Sequence, residues 1–375
     1  MLICEFVAKK FAEPNSMKRS ILFFIHSFTG LVSGLFILLM SLSGAALVFH
    51  EELDSLQFPT IVNQVNAPTI SIDSSYQRLQ AKFPLAQISS CSLAEDDQHP
   101  FIFSVYDSSF KQGKEAMQVF IHPQTGAVLK IRGGSKDPVN NFMSWLTAFH
   151  NSFHLKKNGE WLLGVLSVLF LISIITGIIL FRKKIKYVLS FKKGMYTKAN
   201  LHQVVGVYAL LFNLMIAGSG FWMQRYVFKK EFYAEQKPYT PVLKPSSKLF
   251  FGLDSALQEV KKSHPAYTGY IIYFTQSKKG KTAVYGSQST NSFIHSKKYA
   301  DAIFLDSTGA IAKTAFVNEI PSENRRDIIN AQIHYGRYGG WPVKLLYSLF
   351  GLSGGLLSIT GFAMWIKRRK RTTGY

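Results

Sequence analysis

The chain has 375 residues, of which 47% are hydrophobic, and a formal net charge of +21. Nearly uncharged runs alternate with stretches rich in Lys, Asp and Ser, which excludes a single soluble core, and so large a positive charge points to nucleic acid or to an anionic membrane surface. Its two cysteines, Cys4 and Cys91, show no CxxC, CxxCH or zinc-type spacing and are expected on opposite sides of a membrane, so disulfides, zinc ribbons and covalently attached haem have no support.

Residues 1–20 form a polar N-terminal segment, and Met17-Lys18-Arg19 reads as the expected start of translation. The apolar run 21–49 is too long for the core of a signal peptide and is read as a retained first span. A polar lobe, 50–160, follows. It carries a helix over 74–83 that stops at Pro84, strands over 101–106 and 118–121, a turn at Pro123-Gln124-Thr125-Gly126, and a returning strand over 127–131. The second span is 161–181, the loop 182–200 is basic, and the third span is 201–223. A second lobe, 224–341, has a helix over 254–264, strands over 270–275, 282–285 and 302–305, and a turn at Ser307-Thr308-Gly309. The fourth span, 342–366, leads into the tail 367–375. The expected fold is therefore integral membrane α-helical, with four transmembrane helices and two extracytoplasmic α+β lobes.

Charge orients the spans. Lys9, Lys10, Lys18 and Arg19 precede the first. Arg182, Lys183, Lys184, Lys186, Lys192, Lys193 and Lys198 join the second and third, and Lys367, Arg368, Arg369, Lys370 and Arg371 follow the fourth. Short Lys/Arg-rich loops stay cytoplasmic, which puts both termini and the middle loop inside and the lobes outside the cytoplasmic (inner) membrane. Anionic lipid explains clusters that hug the membrane better than nucleic acid does.

The chain also reads as a tandem repeat in parallel orientation. At an offset of 176 residues His26 meets His202, Gly30 meets Gly206, Phe36 meets Phe212, and Ser43-Gly44 meets Ser219-Gly220. At an offset of 184 His150 meets His334 and Thr176-Gly177 meets Thr360-Gly361. Between them Asp73 answers Asp254, and Thr125-Gly126-Ala127 answers Thr308-Gly309-Ala310.

Of ten histidines, four are matched by this repeat. His26 lies about 8 Å into its helix at 1.5 Å per residue, and His202 begins the equivalent helix, so both are placed near the cytoplasmic face. His150 and His334 each precede an inward-going span and are placed near the outer face. A histidine in a membrane needs a partner and marks function by default. Neutral imidazole is a good axial ligand for iron, and two on facing helices can hold one haem with both axial positions filled. Gly30 and Gly34, four residues apart behind His26, and Gly206 behind His202 leave room for a flat macrocycle. Taken singly, such glycines more often pack helices, and a single histidine at a helix end is more often interfacial. Two depth-matched pairs favour ligation. His154, read as four residues along the same helix face as His150, is a rival ligand or a partner for a propionate or substrate. His50 is read as interfacial, and His99, His122, His264 and His295 as solvated residues at turns.

These motifs together resemble the PepSY-associated transmembrane family, often called iron-regulated membrane proteins. The resemblance runs from Met17 to Lys370 through His26-x-x-x-Gly30, Ser43-Gly44, His150 with Gly159, Thr176-Gly177, Leu201-His202-Gln203 with Gly206, His334-Tyr335-Gly336 with Gly339-Gly340, and Thr360-Gly361 closed by Lys367-Arg368-Arg369. The lobes are similar to PepSY units. What the resemblance to the ferric-siderophore reductase branch implies is b-type haem held by transmembrane histidines and reduction of imported iron chelates in the periplasm. The expected protein is a conduit with two bis-histidine haems b, His26 with His202 and His150 with His334. It would pass electrons from a cytoplasmic or quinol donor to a ferric siderophore, with no catalytic acid or base and no nucleic acid partner. The basic residues of the second lobe, Lys229, Lys230, Lys261, Lys262, Lys278, Lys279, Lys281, Lys297 and Lys298, suit an anionic chelate or lipid headgroups equally. The alternatives are a non-catalytic PepSY regulator or peptidase inhibitor, and a siderophore transport accessory. The latter needs a polar path, for which the spans offer only Ser41, Ser43 and Asn213 beyond the histidines.

Overall fold

The structure, a computed structural model, describes residues 14–61, 70–93, 99–107, 116–190, 198–234, 249, 251–274, 281–288, 298 and 300–372. Cys4, Lys9, Lys10, Lys192, Lys193, Lys278, Lys279, His295 and Lys297 lie outside the described residues.

Two layers of structure are present. The first is helical. Helix α1 (Pro14–Leu47) is followed by a short helix α2 (His50–Ser55); α5 (Lys156–Leu189), α6 (Lys198–Tyr208), α7 (Leu210–Gln224), which leads to the one-turn helix α8 (Glu231–Ala234), and α11 (Gly340–Thr372) complete the set. Among the described residues three stretches are long and apolar enough to cross a membrane: Lys18–Leu47, Lys156–Lys183 and Gly340–Arg371. The pair α6–α7 makes a fourth if taken as one span, but it is bent by 66°. The sequence shows only one unbroken span over 201–223. The break falls at Ala209, whose φ of −92° and ψ of 6° lie outside the helical basin. The buried Asn213 side chain donates to the Ala209 carbonyl at 3.0 Å and to Ser353 Oγ at 2.9 Å. A side chain bonded into the backbone ladder is a recognised cause of helix bending. Helix α11 packs along α1, α1 along α5, α5 against α7, and α6 against α11.

The second layer is a sheet. Each lobe contributes one helix, α3 (Ile72–Lys82) or α9 (Leu253–Ser263), and four antiparallel strands. These are β1 (Gln87–Ser92), β2 (Phe101–Tyr106), β3 (Met117–Ile121) and β4 (Val128–Arg132), then β5 (Tyr267–Tyr273), β6 (Thr282–Gln288), β7 (Asp301–Leu305) and β8 (Ile311–Ala315). The sequence predicts two lobes; the structure joins them into one eight-stranded sheet in the order β4-β3-β2-β1-β5-β6-β7-β8. The seam is β1 against β5, with Cys91 opposite Ile272. Strand β2 alternates buried Phe101, Phe103 and Val105 with half-buried neighbours, as a strand covered on one face must. Those side chains pack with Tyr76 and Leu79 of α3 and with Leu253 and Val260 of α9 in one core. Strands β1 and β8 are not apparent in the sequence. The first carries three serines and a register shift between Ile88 and Ser90, and the second alternates weakly, so neither shows a clean period of two. Gly126 and Gly309, at φ of 69° and 87°, close the two Thr-Gly turns in a backbone conformation that side chains rarely adopt.

The two helices on the sheet clasp each other. Asp73 accepts from the Leu253 and Asp254 amides at 2.8 and 3.0 Å, and Asp254 accepts from the Ile72 and Asp73 amides at 3.0 and 2.9 Å. Each carboxylate thereby caps the other helix, where free amides and the helix dipole favour a negative group. Desolvation holds Asp73 above its ordinary 3.8, opposed by its two amide donors and reinforced by the neighbouring Asp254 carboxylate. A raised carboxyl pKa means that the folded state binds the proton more tightly. Its contribution to stability is full below 3.8 and is lost as pH rises through the raised value. The melting temperature of the wild type relative to Asp73→Asn should therefore fall as pH rises from about 3 to about 6. Circular dichroism melts in detergent check this, and a difference independent of pH would refute it.

Candidate functional site: four histidines held by hydroxyls and glycines

Helix α4 (Phe142–Ser152) and helix α10 (Ser322–Tyr335) lie between the sheet and the spans, α4 beside α1 and α5, α10 beside α7. They carry His150 and His334, while His26 lies on α1 and His202 on α6. The structure brings His26 and His202 together: their ring centres are 6.3 Å apart and their planes 78° apart. His150 lies beside His334. Burial, and then that neighbouring ring, hold His150 below the usual imidazole range, which keeps it in the neutral form that binds metals. Among the described residues no three His, Cys, Asp or Glu side chains converge on one point; the histidines come in twos.

All four rings are held through Nδ1. His26 Nδ1 lies 2.9 Å from the Ser173 carbonyl, which can only accept, so this nitrogen carries the proton. His150 Nδ1 lies 2.8 Å from Ser43 Oγ, His334 Nδ1 2.9 Å from Ser219 Oγ, and His202 Nδ1 2.9 Å from Thr360 Oγ1. With Nδ1–H donating, Nε2 keeps its lone pair for a ligand. Four dipeptides that the sequence marks only as repeat landmarks and packing positions thus turn out to touch the histidines. The detectable signal was the repeat alignment that matches Ser43-Gly44 with Ser219-Gly220 and Thr176-Gly177 with Thr360-Gly361; the dipeptide by itself is not distinctive, since it also occurs at Thr29-Gly30, Ser33-Gly34 and Ser353-Gly354.

A cavity of about 780 Å³ opens around His26 and His202, lined also by Gly30, Gly34 and Gly206, a size typical of cofactor sites. Gly30 meets Ser173 Oγ and Gly34 meets the Phe362 ring, so these two also serve helix contact. Arg368 and Arg369 line the same cavity, with Arg368 over the Phe23 ring at 4.7 Å and Arg369 over Trp365 at 5.1 Å. The sequence shows them only as orienting charges.

Two expectations need correction. His154 is not on the helix of His150: α4 ends at Ser152, and Phe153, His154 and Lys156 follow with φ of 48°, 59° and 55°. The chain must turn sharply there, because Gly159 packs against the Ser152 carbonyl so closely that no side chain fits. His154 is exposed and lies against Trp145, 5.0 Å between ring centres, and Phe149, at 6.2 Å. His122, expected in solvent, is buried, and its Nδ1 accepts from the Gln124 amide at 3.1 Å across the turn. His50 opens α2 and His264 ends α9 against Phe316.

Long apolar helices beneath a single antiparallel sheet, with small helices between them, define a multi-span membrane protein bearing a PepSY-like β domain. The chain belongs to the PepSY-associated TM region family, whose profile matches residues 23–368. No curated protein matches it at a significant level.

Proposed function

We propose that this protein is a four-span tandem repeat of the cytoplasmic membrane, with both termini inside, that carries electrons outward through two bis-histidine haems b to a ferric siderophore. The observation that carries the reading is the pairing of four histidines, each anchored through Nδ1. Two imidazoles bonded through Nε2 to one ion at about 2 Å have ring centres roughly 6 Å apart, and His26 and His202 stand 6.3 Å apart. The cavity around them is lined by glycines on four helices and bordered by two arginines, which suits a flat amphiphile with carboxylates. The residues present therefore fit the group.

His26 and His202 would hold the inner haem, and His150 and His334 the outer one; a bound haem supplies reversible one-electron transfer. The chain's own residues orient the rings and exclude water with Phe362, Leu357 and neighbouring apolar groups. No proton is handled, so no acid or base is required. The donor is a cytoplasmic reductant or a quinol, and the ferric chelate is met on the sheet side, where the weaker Fe(II) complex releases its metal. Lys229, Lys230, Lys261, Lys262 and Lys281, together with Lys298, which pairs with Glu51 at 3.2 Å, supply positive charge there.

The test uses the detergent-purified protein. Haem analysis should give a stoichiometry near two per chain and sharp low-spin bands on dithionite reduction, and excess ferric siderophore should reoxidise them within the mixing experiment. A protein that holds no haem, as isolated or after reconstitution, would sink the proposal.

A further inference from the structure

We infer that the dipeptides Ser43-Gly44, Thr176-Gly177, Ser219-Gly220 and Thr360-Gly361 are positioning residues for the four histidines, the hydroxyl setting the tautomer of His150, His334 and His202 and the glycine setting the rotation of each ring. The inference rests on the ligand reading above. Each contact joins residues far apart in sequence: 107 for Ser43 with His150, 150 for Thr176 with His26, 115 for Ser219 with His334, and 158 for Thr360 with His202. Four independent long-range contacts of the same kind are not a by-product of local helix geometry.

The hydroxyl proton is committed in every case. Ser43 Oγ donates to the Leu39 carbonyl at 2.8 Å, Thr176 Oγ1 to Ile172 at 2.7 Å, Ser219 Oγ to Ile216 at 3.1 Å, and Thr360 Oγ1 to Leu356 at 2.8 Å. In the apolar surroundings of a span the helix carbonyl is the partner at hand. What remains on the oxygen is a lone pair, so Nδ1 must be the donor and Nε2 must be bare. His26 differs. Its main acceptor is the Ser173 carbonyl at 2.9 Å, and Thr176 Oγ1 stands off at 3.4 Å.

The glycine sits one residue later, about 100° round the helix, so the ring lies over the groove between hydroxyl and glycine. A Cβ added at Gly44 would meet His150 Cε1 at 3.1 Å, at Gly177 His26 Cε1 at 3.1 Å, at Gly220 His334 Cε1 at 3.3 Å, and at Gly361 His202 Cε1 at 3.6 Å. The nearest atom is the same ring carbon all four times. A glycine that merely packs helices meets aliphatic, aromatic or hydroxyl groups of the next helix, as Gly30, Gly34 and Gly206 do here. Cε1 lies between the two ring nitrogens, so a push on it rotates the imidazole and moves Nε2. The three short contacts leave no slack, whereas the 3.6 Å at Gly361 is ordinary contact.

An acceptor on Nδ1–H makes Nε2 a more basic ligand, which favours the oxidised metal. The acceptors are a carbonyl and a hydroxyl at the inner pair and two hydroxyls at the outer pair. Ser43→Ala and Ser219→Ala should therefore bind haem at wild-type stoichiometry, shift the outer centre's midpoint potential upward and change the spread of its low-spin electron paramagnetic resonance lines. Ser43→Thr should restore both. Thr176→Ala should move the inner centre little, because the Ser173 carbonyl remains. Among the glycines, Gly44→Ala and Gly177→Ala should perturb the lines most and Gly361→Ala least. Unchanged potentials and lines in haem-loaded Ser43→Ala and Ser219→Ala would overturn the inference while leaving the haem reading intact. Nitrogen-15 spectra of histidine-labelled protein without haem separate the two ideas from the other side. Loss of the Nδ1–H signal of His150 in Ser43→Ala supports the positioning role even if no haem were ever bound, and an unaltered signal refutes it.

Discussion

On the proposed haem reading, replacing His202 or His334 with alanine should each abolish one of two spectroscopically distinct haem centres, and the double variant should be colourless. The effect is all-or-none because a bis-histidine site that loses one axial imidazole has no neighbouring donor to take its place: His26 faces His202 across 6.3 Å, and among the described residues no third His, Cys, Asp or Glu converges on either pair. Loss of His202 should halve haem content, remove the inner centre's low-spin bands and stop outward transfer while leaving the outer centre reducible by dithionite. Loss of His334 should do the converse. His154→Ala is the control that separates this from general damage. Its ring packs on Trp145 and Phe149 at the end of α4, so both centres should survive. Reduced-minus-oxidised spectra with haem quantification read all four variants. Full haem content in either single ligand variant would remove that pair from the proposal.

Asp54→Ala should destabilise the protein by about 3–5 kcal/mol, because it strands a buried guanidinium. The Arg132 side chain is 1% exposed, and Asp54 is 13% exposed. The pair is bidentate at 2.9 and 2.8 Å, with Arg132 Nε donating to Gln118 Oε1 at 2.7 Å. Phe58 and Phe120 flank the guanidinium at 5.5 and 5.0 Å. Asp54 lies on α2, directly after the first span, and Arg132 ends β4, so this pair fastens the sheet to the membrane helices. Lys344 on α11 and Glu52 on α2, at 2.6 Å, add a second tie. The expected result is a lowered melting temperature and faster protease cleavage between α2 and β4. Asp54→Leu with Arg132→Met should recover most of the loss, since an apolar pair of similar size has no charge to desolvate. A melt of Asp54→Ala that overlays the wild type would show that the contact carries nothing.

Much of the architecture was legible in the sequence for a plain reason. A membrane helix must be apolar along its length, so the runs at 21–49, 161–181 and 342–366 announce themselves. Strand β2 and the Thr-Gly turns declared themselves by alternating or β-branched residues and by turn-forming residue types. The offsets that align His26 with His202 and His150 with His334 singled out the four rings without any contact being known. What the sequence left out is whatever depends on two distant segments meeting. The seam of β1 with β5, the clasp of Asp73 with Asp254 and the Arg132–Asp54 pair are long-range contacts that no local pattern encodes. The left-handed residues Phe153 and His154, which take His154 off the helix of His150, depend on how closely α4 must fold back on Gly159. The bend at Ala209 depends on Asn213 finding Ser353 on another helix. Residue type and spacing are properties of one segment, and so they determined the apolar runs, six of the eight strands and the candidate ligands. Which nitrogen of each histidine is held, and by which hydroxyl, is a property of packed pairs, and only the tertiary structure decided it.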